Sequence, residues 1–150
     1  MDLIEALIRA GPPLRDLNLA KNNIMDRGAS SLADFIAVHY HLKTFRIGWN
    51  KIKGKGAIAI ADALKDNQRL LLFDGSFNLF GQKRNGEFGQ KMAEAINKGL
   101  LRHVDISYNS MDKAECDKFG EVIRENHTLW GLHMMGNECI LDSMGFVRTD

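Results

Sequence analysis

Two histidines and two aspartates are the best candidates for acid–base chemistry in this chain: His103 and His133, with Asp74 and Asp105 in reach if neighbouring stretches stack. A histidine beside a carboxylate makes a general base, but a base needs a nucleophile to activate, and no serine or cysteine occupies the matching positions. His39 and His41 flank Tyr40 like a metal-ligating pair, yet they fall in a turn on which no third ligand converges, so a solvated turn is expected. The run Gly54, Lys55, Gly56 lacks the further glycines and the Ser or Thr that would cradle a phosphate. The sequence therefore predicts a non-enzyme with no catalytic residue, no metal site and no cofactor.

The asparagines carry a clearer message. Asn22, Asn50, Asn78, Asn109 and Asn137 follow one another at intervals of 28, 28, 31 and 28 residues, and one phrase surrounds them all. Its units begin at Leu14, Leu42, Leu70, Leu101 and Leu129, with apolar residues spaced L-x-x-L-x-L and the asparagine shortly after. A repeat of this period predicts a solenoid, in which each copy buries its apolar face only against its neighbours. The last apolar positions alternate as a strand does, Leu17 and Leu19 inward and Asn18 outward, and the stacked copies form a parallel sheet. Each asparagine falls just past its strand, where the chain turns away and backbone groups lose their ladder partners. A primary amide brings two donors and an acceptor to that corner, so the five asparagines are expected to form a structural ladder along the core.

Helical patterns follow the asparagines. Ile60 and Leu64 lie four apart, Leu32, Phe35 and Ile36 answer them one unit earlier, and Ala29, Ala57, Ala61 and Ala93 let helices approach closely. Asp112 and Glu115 have the form of a capping box, with the aspartate as acceptor and the glutamate reaching back. Gly28 and Gly56, six residues past their asparagines, are expected to give a tight backbone entry to the helix. The third unit carries three extra residues, placed within the polar stretch 81–89, which should bulge as a loop; its Lys83 and Arg84 are too few for a nucleic-acid patch.

The outward strand positions form three columns lining a concave wall: Arg15, Lys43, Leu71, Arg102 and Trp130; Asp16, Thr44, Leu72, His103 and Gly131; Asn18, Arg46, Asp74, Asp105 and His133. Charges of both signs alternate with apolar groups, which fits a protein partner better than a phosphate backbone, whose electrostatics favour a basic stripe. Leu71 and Leu72 either pack beneath a neighbour such as Trp130 or seed a contact patch. The position before each ladder asparagine gives a fourth column, Lys21, Trp49, Phe77, Tyr108 and Gly136. Its three aromatics either stack on one another or act as an interface hot spot. The candidate partner-binding residues are thus Trp49, Phe77, Tyr108, Trp130, Arg46, Asp74, Arg102, His103, Asp105 and His133.

The 150 residues suit a single domain, residues 1–150, and a formal net charge of +1 gives no global reason to expect nucleic acid or membrane. No apolar run approaches the roughly 18 residues a bilayer requires, and the first residues lack a basic stretch before their apolar ones. An intracellular, cytoplasmic protein is expected, with Cys116 and Cys139 as free, buried or half-buried thiols. The first residues match only the helix of an earlier unit, and the fifth unit is incomplete. Solenoids need capped ends, so the chain is expected to be a segment of a longer protein, or to close its ends by self-association.

Taken together, LxxLxLxxNxI followed by a helical pattern closely resembles the leucine-rich repeats of the ribonuclease-inhibitor-like subfamily, over essentially the whole chain from Leu3 to about Gly145. The resemblance implies an α/β right-handed horseshoe with five parallel strands on the concave side and helices on the convex side. It also implies a protein-interaction scaffold, since the subfamily ranges from inhibitors and innate-immune sensors to actin-filament regulators and ciliary proteins. Activators of a small GTPase belong to it too, and in that alternative Arg15, Arg46 or Arg102 would enter another protein's active site. Cytoskeletal or ciliary localisation follows as a second expectation.

Overall fold

The computed structural model describes residues 3–11, 13–82, 86–143 and 147–148. Gly145 and the insertion's two basic residues, Lys83 and Arg84, lie outside them. The order is α1 (Leu3–Ala10), β1 (Asp16–Asn18), α2 (Met25–Val38), β2 (Thr44–Arg46), α3 (Gly54–Asp66), β3 (Leu72–Asp74), α4 (Glu87–Lys98), β4 (His103–Asp105), α5 (Lys113–Ile123) and β5 (Gly131–His133). The strands form one parallel sheet in sequence order, and Leu17, Phe45, Phe73, Val104 and Leu132 pair in a single register. Strand and helix thus alternate as the repeat predicts, in an α/β leucine-rich repeat solenoid.

One continuous core lies between the sheet and the helices; Phe45, Phe73 and Val104 and the helix faces around Leu32, Ile60, Met92 and Phe119 are fully buried in it, while Leu132 of the last strand is half-buried. The third unit departs from the pattern by having Gly75 where its neighbours have Ile47 and Ile106. A Cβ there would lie 2.6 Å from Phe80 and 2.8 Å from Phe73, so two phenylalanine rings take the volume an isoleucine fills elsewhere. Gly28 and Gly56 serve packing in the same way rather than backbone freedom. Added Cβ atoms would meet Ile24 Cγ2 at 2.5 Å and Ile52 Cγ2 at 2.8 Å, which are side chains just past the ladder.

The asparagine ladder forms as expected and is denser than one bond per unit. Asn50 Oδ1 accepts from the backbone N–H of Asn22 and Ile24 in the preceding unit, while its Nδ2 donates to the carbonyls of Leu19 and Ile47. Asn78 repeats this toward Asn50, Ile52, Ile47 and Gly75, and Asn137 toward Asn109, Met111, Ile106 and Met134. At the seam after the inserted residues, Asn109 accepts from Phe80 N at 3.4 Å, the longest bond of the series. The amide therefore closes its own corner and the corner of the turn before it, a task that needs donor and acceptor on one short side chain.

Glu115 and the two cysteines also depart from expectation. Asp112 Oδ1 accepts from Glu115 N at 3.0 Å, which is the first half of a capping box. The fully buried Glu115 carboxylate, however, reaches across the seam, one oxygen accepting from Gly86 N at 3.0 Å and the other from Gly89 N at 2.6 Å. It thereby satisfies the buried N–H groups at the start of α4 that have no partner within the helix, behind the insertion, where a negative charge also meets the positive end of the helix. Cys116 and Cys139 are not free thiols: they form a disulfide, with Cα atoms 5.3 Å apart. The coil brings the first turn of α5 against the residue that follows the next ladder asparagine, where the preceding units hold the buried pairs Ala29 with Ile52 and Ala57 with Phe80. Column arithmetic gave the two positions but not the contact between them.

Surface charge does part of the work of joining helices. Lys65 pairs with Glu94 at 3.0 Å and Lys91 with Asp62 at 2.8 Å, both linking α3 to α4. Bonds from Gln90 and Lys65 hold the Glu94 carboxyl below its ordinary range, and the bond to Asp62 raises the Lys91 ammonium. Both pairs are partly solvated and contribute little individually.

The ladder's energetic weight is open to measurement. Asn78→Ala leaves several buried backbone groups unsatisfied and should cost about 3 kcal/mol in urea denaturation, whereas Asn22→Ala, at the exposed end, should cost less than about 1 kcal/mol. Equal losses at the two positions would refute this account of the ladder. For the disulfide, alkylation followed by mass measurement should find both thiols blocked until a reductant is added. Reduction should then destabilise the chain by about 3 kcal/mol, in keeping with a loop of this length.

Candidate functional site

Left-handed backbone at the ladder corner positions the fourth column. Lys21, Trp49, Phe77 and Tyr108 have φ of 61°, 59°, 54° and 54°, and Gly136 has 75°. Such angles are uncommon for bulky residues and cost of order 1 kcal/mol each. They persist because the amide bonds on either side fix the turn, and they splay the side chains outward along the rim. There Trp49, Phe77 and Tyr108 form an unbroken stack, with ring centroids 4.1 and 4.4 Å apart and planes within 10° and 11° of parallel. Lys21 Nζ covers one end, 6.0 Å from the Trp49 centroid. At the other end Gly136 lies so close that a Cβ would come within 2.3 Å of the Tyr108 ring. Stacking is thus realised, and the rings still expose their edges: Trp49 is 53% and Tyr108 43% accessible.

The strand face brings the other candidates together unevenly. Arg46, Asp74, Asp105 and His133 stand in adjacent rows of one column, as the strand register requires. Asp74 and Asp105, however, are engaged by their own turns. Asp74 Oδ1 accepts from Ser76 N and Oγ, and Asp105 Oδ1 accepts from Ser107 N, as Asn18 Oδ1 does from Ala20 N. These side chains terminate the strands through the short loops typical of Asx turns. His103 and His133 lie with ring centroids 4.9 Å apart, and Gly131 is glycine because a Cβ would strike the His103 ring at 2.5 Å. Arg102 donates to Thr128 O at 3.2 Å and holds its guanidinium 5.9 Å from the Trp130 ring centroid. Trp130 therefore packs with Arg102 and not over Leu71; it is 86% accessible, and Leu71 is 39%.

Among the described residues no three His, Cys, Asp or Glu side chains are grouped as a metal would need. His39 is not a solvated turn residue but is buried, its ring 4.7 Å from that of Phe35, while His41 remains exposed. No helix among the described residues is long and apolar enough to cross a membrane.

A second set of corner amides escaped the sequence reading. Asn67, three residues before Leu70, donates to Ile36 O and His39 O and accepts from Arg69 N and Leu70 N. Asn126, three residues before Leu129, accepts from Thr128 N and Leu129 N. The equivalent residues are Gly11, His39 and Lys98 in the other units, so no column of one residue type marked the position.

A family model described as "Leucine Rich repeat" matches residues 12–33 and 40–61. The chain is similar to RAN GTPase-activating protein 2 of Arabidopsis thaliana, 23% identical over 131 residues that cover 86% of this chain and 23% of that protein. It thus spans less than a quarter of the length of the curated relative it matches. Among solved structures, Leiomodin-1 Actin-Binding Site 2 superposes with a TM-score of 0.75 at 15% identity, covering 87% of this chain and 76% of that one. That likeness is one of fold.

The aromatic stack predicts a distinct mutational signature. Phe77→Ala should separate Trp49 from Tyr108, shift Trp49 emission to the red in a Trp130→Phe background, and cost about 1–2 kcal/mol of stability. An unchanged spectrum would show that the rings do not stack in solution.

Proposed function

We propose that the chain is a non-catalytic protein-interaction scaffold, built from leucine-rich repeats of the ribonuclease-inhibitor-like kind, whose strand face receives a protein partner. The observation that carries this reading is the composition of that face. Exposed apolar groups, Leu71 and Trp130, stand among Arg46, Arg102, His103 and His133, so large apolar anchors are set in a mixed polar field as interface hot spots are. The likeness to Leiomodin-1 Actin-Binding Site 2 makes a cytoskeletal partner a natural first choice, and an intracellular location would accompany it. The Cys116–Cys139 bond weighs against a reducing cytosol as that location, because cytosolic thiols are kept reduced. Should the unit ends be uncovered in the mature protein, self-association would be the further consequence.

A second reading rests on the similarity to the Arabidopsis GTPase-activating protein. In it an arginine would enter a GTPase active site to stabilise the transition-state charge. Arg102 is already held by Thr128 O and Trp130, and Arg46 is half-buried, which leaves the exposed Arg15 as the best of the three.

A combined Leu71→Ser and Trp130→Ser variant removes two exposed anchors at little expected cost to stability. Quantitative pull-down from the source cell should lose the specific partners of the unmodified chain, actin being assayed directly by co-sedimentation. An identical set of captured proteins would refute the strand-face reading. Stimulation of GTP hydrolysis that is abolished by Arg15→Ala would move the assignment to the activator.

A further inference from the structure

A second surface lies on the rim, separate from the strand face, and its chemistry differs. The stretch after Asn50 alternates strictly: Ile52 is fully buried and Gly54 is buried, while Lys51, Lys53 and Lys55 are exposed. The three lysines thus lie exposed between buried neighbours within five residues of the chain, and Lys21 of the preceding unit lies over the Trp49 ring. None of these four ammonium groups forms an ion pair among the described residues. Asp26, an acidic group beside them, is occupied by Lys53 N at 2.6 Å. The Asp26 carboxylate keeps its charge, so four ammonium groups against one carboxylate leave a net basic surplus at one end of the aromatic rib, on a chain whose overall charge is only +1.

The rib decides which anion this rim suits. A single-stranded nucleic acid gains its affinity by stacking bases on exposed aromatic faces. Here the inner faces are closed by stacking at 4.1 and 4.4 Å, Gly136 lies against Tyr108, and the outer face of Trp49 already has the Lys21 ammonium over it, 6.0 Å from the centroid. What remains exposed is a row of ring edges. Edges carry the positive part of the ring quadrupole and offer an apolar ridge, so they suit aliphatic side chains and carboxylates rather than the π-face of a base. Lys51, like Trp49, is held in left-handed backbone, at φ 56° and 59°, by the ladder bonds of Asn78 and Asn50. Charge and ridge are thus presented by one rigid corner.

We propose that this rim is a docking surface for an acidic peptide segment of a protein partner, with its carboxylates on Lys21, Lys51, Lys53 and Lys55 and its apolar side chains along the Trp49, Phe77 and Tyr108 edges. The inference rests on the scaffold reading above but concerns another face. In the test, fluorescence anisotropy measures binding of a short fluorescein-labelled peptide alternating glutamate with leucine. The unmodified chain should bind it with an affinity that falls as salt is raised. The double charge reversal Lys51→Glu with Lys53→Glu, at exposed positions that leave the ladder intact, should weaken binding by about tenfold or more. Leu71→Ser with Trp130→Ser should leave it unchanged. Undetectable binding by the unmodified chain, equal binding by the charge-reversed variant, or tighter binding of a single-stranded oligouridine than of the peptide would each overturn the proposal. Loss of partner capture in the strand-face variant alone, or of peptide binding in the rim variant alone, separates failure of one surface from failure of the other.

Discussion

The corner amide is the constraint from which the rest of the structure follows. A solenoid must turn away from its sheet once per unit, and at that turn several N–H and C=O groups would be buried without partners. One asparagine per unit meets this need in both directions, accepting from the unit before and donating to that unit and its own. Because the same atoms close two corners, the stack is cooperative along its axis: a unit without its neighbour lacks hydrogen-bond partners as well as buried area. Aspartate or leucine cannot substitute, since the first has no donors and the second has no polar atom at all.

That constraint also sets the conformation of the residues beside the amide, and so what the rim displays. Positions directly before and after it take positive φ at Lys21, Asn23, Trp49, Lys51, Tyr108 and Ser110. A glycine would occupy such a position without strain, as Gly136 does. Three successive aromatics there accept a local backbone cost of the same order as the stacking that offsets it, since ring pairs contribute about 0.5–1.5 kcal/mol each. Backbone strain of this kind is found preferentially at functional sites. Ring edges fixed in this way lose little further entropy when another surface covers them.

The periodic parts of the molecule were legible in the sequence, and the single-copy parts were not. Strand phase, core rows, ladder and parallel order all follow from one spacing read five times, because each copy confirms the register of the others. The Cys116–Cys139 bond and the buried Glu115 carboxylate each occur once, and both join a residue of one unit to a residue of the next across the helix layer. A repeat pattern says which residues share a column; contacts between different columns depend on how the coil winds. Asn67 and Asn126 failed to stand out because His39 and Lys98 interrupt their series. Asp74 and Asp105 were read as outward groups available to a partner, and they do point outward. Their carboxylates nevertheless close Asx turns at the strand ends, a use that outward placement alone cannot distinguish.

The third unit shows how much irregularity the ladder tolerates, and why two surfaces can coexist on so small a chain. The ladder bond at Phe80 N, next to the inserted residues, is 3.4 Å long, and Glu115 closes the helix start that the longer loop would leave open. Gly75 gives up its side chain, and Phe73 and Phe80 fill the space. These adjustments lie in the core and in the helix layer. The strand register passes through the unit unchanged, Phe73 pairing with Phe45 on one side and Val104 on the other, and so does the ring stack at Phe77. The strand face and the rim are thus insulated from the insertion by the same amide bonds that fix them. Substitutions confined to exposed positions of one face have no route through the core by which to disturb the other, because the side chains they alter do not take part in the ladder.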